Sequence, residues 1–191
     1  MKQYNFATLL SVREGRPVVS HLPFLVDASR GEQGTLLGHM AKANQHWRCF
    51  AAGEATVIFQ GPHSYVSPSW YVPRPDNVPT WNYAVCHAYG HARILVNEKD
   101  AYQQMARQVA LYEEQYGAGW SLNLSDQDRH HLLASIVVFE ITVTKLEARF
   151  KLSQGDPANA PNVAHELARS DREPARAIAA LMTTNCLPGP S

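Results

Sequence analysis

The chain has 191 residues, 17 Lys+Arg against 17 Asp+Glu, 45% hydrophobic and 9% aromatic content. That length supports a sizeable core, and the composition is that of a globular chain rather than a disordered one. Balanced charge gives no general attraction for nucleic acid or anionic membrane, leaving only local patches to do such work.

Cys49, Cys86 and Cys186 are odd in number, far apart and without a C-x-x-C pair, which argues against a disulfide framework or a zinc knuckle. The opening "MKQYNFATLL" turns polar at Ser11, Arg13 and Glu14, so no leader peptide is expected. No apolar run approaches the ~18–20 residues of a membrane span. A soluble, cytoplasmic protein is the expectation.

In chain order, "FATLLSV" and "PVVSHLPFLVD" read as a hairpin joined by "REGR", with Gly15 supplying a positive φ. Pro23 suggests a sheet edge or a bulge. "TLLGH" is a third strand. "AKANQHWRCFAAG" has helical composition and a stop at Gly53. "EATVIFQ" is a fourth strand. Two β-like runs, 63–71 and 80–96, flank "VPRPDNVP", stiffened by Pro73, Pro75 and Pro79.

From Asn97, a good N-cap, to Tyr116 the period is helical, with Tyr102, Met105, Val109, Tyr112 and Tyr116 sharing a face. Ser125 and Asp128 open a second helix through "HHLLASI". "VVFEITVTKLEARF" alternates as a strand, with Phe139, Ile141 and Val143 facing one way. Beyond Gln154, "GDPANAPN" is linker-like. Helical pieces near 161–169 and 170–183 follow, the latter with Ser170 and Glu173 as a capping box. Hairpins with inserted helices predict a mainly β fold, a small closed or split barrel with helical decoration (α+β). Residues 1–154 form its domain and 155–191 a linker with a helical appendage. G-x-G-x-x-G and P-loop signatures are absent.

Candidate chemistry gathers in two places. At "LLGHMAKANQHW" a strand gives way to a helix through small residues. A helix starting near Ala41 would leave its first N–H groups unpaired, and Lys42 would add a full charge, making a phosphate cradle. The bland alternative is a solvated lysine. In "GPHSYVSPSWY" and "VPTWNYAVCHAYG", His63, Tyr65 and Ser67 project to one face. Trp81 and Tyr83 do likewise, with Asn82 opposite. Such faces suit a planar heteroaromatic ring, or equally a core or a dimer interface.

His87 and His91 would share a strand face about 13 Å apart, at ~3.3 Å per residue. That is too far for one metal ion, so no metal is expected. Ser153 after Lys151 lacks a nucleophile elbow, so hydrolase chemistry is not favoured.

Several segments in order, "SHLPFLVD", "GTLLGHMAKANQHW", "VIFQGPHSYVSPSWY", "VPTWNYAVCHAYGHARIL" and "LEARFKLSQ", resemble the PaiB family of FMN-binding split-barrel proteins, often labelled negative transcriptional regulators. The resemblance implies a six-stranded split barrel of the pyridoxamine-phosphate-oxidase type. It implies a homodimer with FMN in clefts formed by both subunits. It makes His39, Met40, Ala41, Lys42 and Asn44 phosphate and ribityl contacts, and places Trp81, Asn82 and Tyr83 near the isoalloxazine. Lys151, Ser153 and Gln154 become a closing segment, with His63 and Ser64 as further contacts. Cys86 stands where an aliphatic residue is expected, a tolerated swap if buried.

Three functions follow as expectations. One is a flavin-dependent redox or sensor protein, including an oxidoreductase of unnamed substrate and unidentified catalytic residues. Another is a transcriptional regulator, for which no helix-turn-helix or basic stripe is visible, so that DNA as a partner rests on the family label. The third is a dimer binding haem or another anionic ligand in the same cleft.

Overall fold

The computed structural model describes residues 1–117 and 119–185; Cys186 lies outside them. The chain forms two compact units. One comprises Met1–Phe59 and His87–Leu146, the other Gln60–Cys86 and Glu147–Ser191. The division expected at 154/155 and these units therefore have different seams.

Strand β1 (Phe6–Arg13) and β2 (Arg16–Pro23) form the expected antiparallel hairpin. Its turn places Glu14 at φ 53 and Gly15 at φ 75, two left-handed residues that match the strand twist. β3 (Leu25–Asp27) and β4 (Thr35–Ala41) follow, then a 3₁₀ segment, Gln45–Ala52. β5 (Ala55–Val66), β6 (Thr80–Ile94) and β7 (Ile136–Lys151) are long strands whose chain passes from one unit into the other. The sheet order is β2-β1-β5-β6-β7-β4-β3, seven strands where six were expected, the three-residue β3 pairing at the edge with β4. Pro23 ends β2, an edge strand that needs no donor there. Residues 63–66 continue β5, and a short 3₁₀ turn, Pro68–Trp70, replaces the rest of the run expected over 63–71.

The first unit is centred on Leu9, Phe24, Leu36, Phe59, Phe139 and Ile141, each at most 2% exposed. The Phe24 ring lies 6.1 Å from both Phe59 and Phe139 in edge-to-face contact. Gly38 makes room for it: a Cβ there would meet Phe139 at 3.0 Å and Phe24 at 3.1 Å.

Helix α1 (Glu98–Tyr116) starts at Asn97, whose side chain accepts from Lys99 and Asp100 N–H. Its buried face is Ala101, Gln104, Met105 and Gln108; of the expected stripe Met105 is buried, Tyr102, Val109 and Tyr112 are half-buried and Tyr116 is exposed, so the face is partly rotated. The cause is polar. Gln104 donates to the Gly38 and Phe139 carbonyls, and Gln108 to that of Pro23. Tyr116 is 82% exposed. Helix α2 (Asp126–Ser135) is capped by Ser125 as expected.

In the second unit, α3 (Ala160–Ala168) and α4 (Glu173–Asn185) bury Val163, Leu167, Ile178 and Met182 against Val66 and Leu152. Ser170 accepts from the N–H of Arg172 rather than Glu173, so it forms a local turn in place of the capping box. No helix among the described residues is long and apolar enough to cross a membrane.

Candidate functional site

The corner at residues 36–47 is built differently from the sequence reading. β4 does not stop at His39. It runs on to Ala41 because β7 offers a partner at each step: Gly38 opposite Phe139, His39 opposite Val138, Met40 opposite Val137 and Ala41 opposite Ile136. The Lys42 N–H then donates to the Ser135 carbonyl at 2.8 Å, and the Asn44 N–H to that of Ala41 at 2.9 Å. The helix begins only at Gln45, is 3₁₀, and is capped by Asn44, which accepts from the His46 N–H at 3.1 Å. The expected row of unpaired amides at 39–44 is broken, since the Lys42 and Asn44 N–H groups are bonded within the fold and residues 39–41 lie in the β4–β7 ladder.

The Lys42 side chain remains. It is exposed, and its ammonium has no hydrogen-bond or ion-pair partner among the described residues. It stands on a pocket of about 310 Å³ in the first unit whose wall includes Trp47, Ile94, Leu95, Leu133 and Val137. Glu98 and His130 line the same pocket, paired at 3.1 Å. The Lys42 carbonyl accepts from the Trp47 indole at 3.3 Å, which ties the turn to the pocket wall.

The neighbouring candidates divide by access. His39 is half-buried, with Nδ1 2.9 Å from Gln108 Oε1. The Gln108 NH₂ donates to Pro23, so its oxygen is the acceptor here and His39 carries the Nδ1–H. In the neutral ring Nε2 is then a free acceptor. Met40 is 2% exposed and belongs to the core. Ala41 is exposed at the strand end, and Asn44 is half-buried.

Beneath the corner lies a cluster that the sequence reading missed. His46 is 1% exposed. Its Nδ1 is 2.9 Å from Ser20 Oγ and its Nε2 3.0 Å from Ser11 Oγ. The Asn44 amide donates to the same Ser20 Oγ at 3.0 Å. Burial pushes the His46 ring below the ordinary histidine range. A signal was present: Ser11 and Ser20 share strand faces with Leu9 and Leu22, and an inward serine demands a partner.

A buried charge, Glu140, is held by Arg30 and Arg93 at 2.7 Å each. Burial would raise its carboxyl, but the two guanidinium bonds outweigh burial and hold it below the usual range.

In the second unit the strand alternation places residues as expected. Trp81 is 52% exposed and 6.2 Å and 6.0 Å from the rings of His63 and Tyr65. Tyr83 is half-buried, and Ser64 is half-buried with its hydroxyl on the Tyr65 carbonyl. Asn82 points the other way and is fully buried, with its amide 3.0 Å from Ser153 Oγ and 3.5 Å from Met182 Sδ. It is unavailable to a flavin ring.

Lys151, Ser153 and Gln154 line a cleft of about 610 Å³ with Tyr71, Arg74 and Asn159. Their polar atoms are engaged by the fold. The Lys151 ammonium donates to the Trp81 carbonyl at 2.9 Å and to Thr80 Oγ1. Gln154 closes its own turn on Leu152 and Phe150. Ser153 adopts φ 60, a left-handed conformation unusual for serine, with its hydroxyl on Asn82. Cys86 is half-buried rather than in the core, and burial pushes its thiol up. Among the described residues no group of three His, Cys, Asp or Glu side chains could hold a metal ion.

A family model described as "Putative FMN-binding domain" matches residues 1–145, a stretch that contains Lys42 and every residue of its pocket and stops short of Lys151. The Bacillus subtilis (strain 168) protein named "Protease synthase and sporulation protein PAI 2" is 35% identical over 190 residues, which cover 95% of this chain and 87% of that protein. Two solved structures share the fold at low identity. The flavocytochrome Anf3 from Azotobacter vinelandii has a TM-score of 0.55 at 11% identity, over 77% of this chain and 62% of its own. The FAD and heme binding protein from Mycobacterium smegmatis has a TM-score of 0.54 at 17% identity, over 76% and 64%.

Proposed function

The chain belongs to the PaiB family of FMN-binding split-barrel proteins, and from that membership we propose that it binds FMN with the phosphate on Lys42 and works as a homodimeric, cytoplasmic flavin-dependent redox or sensor protein. The observation that carries this reading is the unpartnered Lys42 ammonium at the edge of an apolar, Trp47-lined pocket. The residues fit such a cofactor in part. One ammonium suits a phosphate, and the apolar wall suits a flat ring. The backbone amides of Lys42 and Asn44 contribute nothing, because both are bonded within the fold.

The bound flavin would supply electron or hydride transfer. The chain's own residues hold and orient it. Lys42 neutralises the phosphate, and His39, which is not part of the Lys42 pocket wall, enters as a ribityl contact by resemblance alone. Ala41 leaves room, and Asn44 fixes the turn. Trp81, Tyr83, His63 and Ser64 enter as ring contacts by resemblance alone. Asn82, Lys151, Ser153 and Gln154 enter as scaffold for their own unit.

The name of the Bacillus subtilis relative ties that protein to protease synthesis and sporulation, which supports a regulatory output. With 17 basic and 17 acidic residues this chain has no general field for DNA, so its output is read as flavin-state signalling through a protein partner. Salt-dependent binding to a defined DNA site would refute that route.

The homodimer is supported by one sheet face of the first unit, where Phe6, Val12 and Val19 are 67%, 54% and 50% exposed on paired strands. Sedimentation of Val12→Asp/Val19→Asp should show monomer where the parent shows dimer.

The decisive experiment titrates flavin-stripped protein with FMN and with riboflavin. Tighter binding of FMN, lost in Lys42→Ala, is expected. Equal affinity for both ligands in the parent protein overturns the phosphate assignment.

A further inference from the structure

The Lys42 turn is held in part by its own residues, Gln45 Nε2 donating to the Lys42 and Ala43 carbonyls and the Asn44 N–H to that of Ala41, and in part from the β1–β2 hairpin. Asn44 closes it with its side chain, and Asn44 is in turn fixed by Ser20 at 3.0 Å. Ser20 is bonded to the buried His46 ring at 2.9 Å, and Ser11 holds the far side of that ring at 3.0 Å. The next residue, Trp47, grips the Lys42 carbonyl. The His46 imidazole and the Asn44 amide therefore share one anchor, the Ser20 hydroxyl of the β1–β2 hairpin, and the ring holds the orientation of that hydroxyl.

The charged residues carried by the elements packed on it are cationic but exposed, Arg48 lying over the Trp47 ring at 5.2 Å. Arg13 on β1 shares the Ser11 face, and Arg16 on β2 shares the Ser20 face. His21 points to the opposite side of β2, and Arg48 lies on the 3₁₀ segment itself. Of the acids that flank these elements in sequence, Glu14 sits exposed in the hairpin turn beside Arg13, and Glu54 is exposed and bonded to Thr144. The ring itself packs on Phe50, 6.1 Å away. A charged imidazole here would be desolvated with no counter-ion bonded to it.

We propose that His46 is a positioning residue for Lys42: the neutral ring, bridged between Ser11 and Ser20, locks the turn at residues 42–45, and protonation of the ring releases it. The consequence for FMN rests on the phosphate reading above; the latch itself does not. Burial lowers the proton affinity of His46 in the closed state, so the open state binds more protons. The closed turn is favoured above the ordinary histidine value of ~6.5 and is lost as pH falls below it.

The test follows the Trp47 indole N–H and the His46 ring by NMR in the full chain without added flavin, from pH 8 to pH 5. The indole resonance is expected to move with a midpoint below ~6.5, and to stay flat in His46→Gln. Should that variant fail to fold, Ser20→Ala decides: the His46 ring still titrates, but the indole no longer follows it. An indole transition unchanged in either variant overturns the proposal, as does a His46 ring that titrates at or above the ordinary histidine value of ~6.5.

In a second arm, FMN affinity should fall about tenfold further in the parent than in His46→Gln between pH 7.5 and 5.5, with riboflavin changing equally in both. A phosphate monoester titrates near ~6 by itself, and that contribution is common to both proteins and cancels. If neither flavin binds at any pH, the Lys42 reading fails, and the latch is still decided by the indole resonance.

Discussion

Lys42 and Lys151 look alike in the sequence: each follows a strand, each sits among small and polar residues, and the resemblance places both beside a cofactor. The structure separates them. Lys151 gives its ammonium to the Trp81 carbonyl and to Thr80, whereas Lys42 gives its amide to Ser135 and keeps its ammonium free. A charged donor that the fold has already satisfied must break bonds to take a ligand; one that faces water needs only to shed solvent. Residues 150–154 thus read as a structural turn seated by Leu152 and Asn82, and residues 39–44 as the ligand-ready corner.

That contrast can be broken at several strengths. The largest expected effect is on the structural side. Leu152, 1% exposed in the second core, should lose roughly 2–5 kcal/mol of stability as Leu152→Ala in urea unfolding; a smaller loss, below about 1 kcal/mol, would show that the turn is not seated by packing. Next comes Lys42→Ala. FMN should bind ~1.5–3 kcal/mol more weakly while riboflavin affinity and the thermal midpoint stay put, and calorimetry with both ligands checks this.

Lys151→Ala should do the opposite. It should lower stability by roughly 0.5–1.5 kcal/mol, an exposed charge-assisted bond being discounted for solvent, and leave the FMN-to-riboflavin ratio untouched. A ratio that moved would return Lys151 to the ligand. The smallest effect is at Ser153. Ser153→Gly relieves the left-handed strain of roughly 1 kcal/mol and loses the hydroxyl's two contacts with Asn82, together worth roughly 1–2 kcal/mol, so its stability should fall by less than about 1 kcal/mol. Ser153→Ala keeps the strain and loses the same contacts, and should fall below both.

Much of the fold was legible. Gly15 marked the hairpin turn, Asn97 and Ser125 marked two helix starts, and the alternation of Phe139, Ile141 and Val143 marked the inward face of β7. Each of these signals is local. The misreadings share a cause. β4 continues through Ala41 because Ile136 and Val137 lie beside it, and no property of residues 39–41 announces a partner almost a hundred positions away. The face of α1 turned partly from its tyrosines because the Gly38, Phe139 and Pro23 carbonyls needed Gln104 and Gln108. Apolar periodicity counts hydrophobic residues and is blind to that demand.

The candidate site was legible only as a set of residue types. Lys42, His39 and Asn44 were found together, but the reason offered for them, a run of open amides, was wrong. The Ser11–His46–Ser20 cluster went unseen although both serines occupy inward strand positions.

The sequence alone determined most of the strands, helices and turns, though not where β4 and the 63–71 run end, because backbone preference and side-chain period act over a few residues. It also carried the family resemblance. Only the tertiary structure decided which polar groups are free. Whether Lys42 or Lys151 can meet a ligand depends on acceptors such as Trp81 and Ser135 that reach them from other elements. A hydrogen bond is made between neighbours in space, and separation along the chain leaves no trace of it in composition or period.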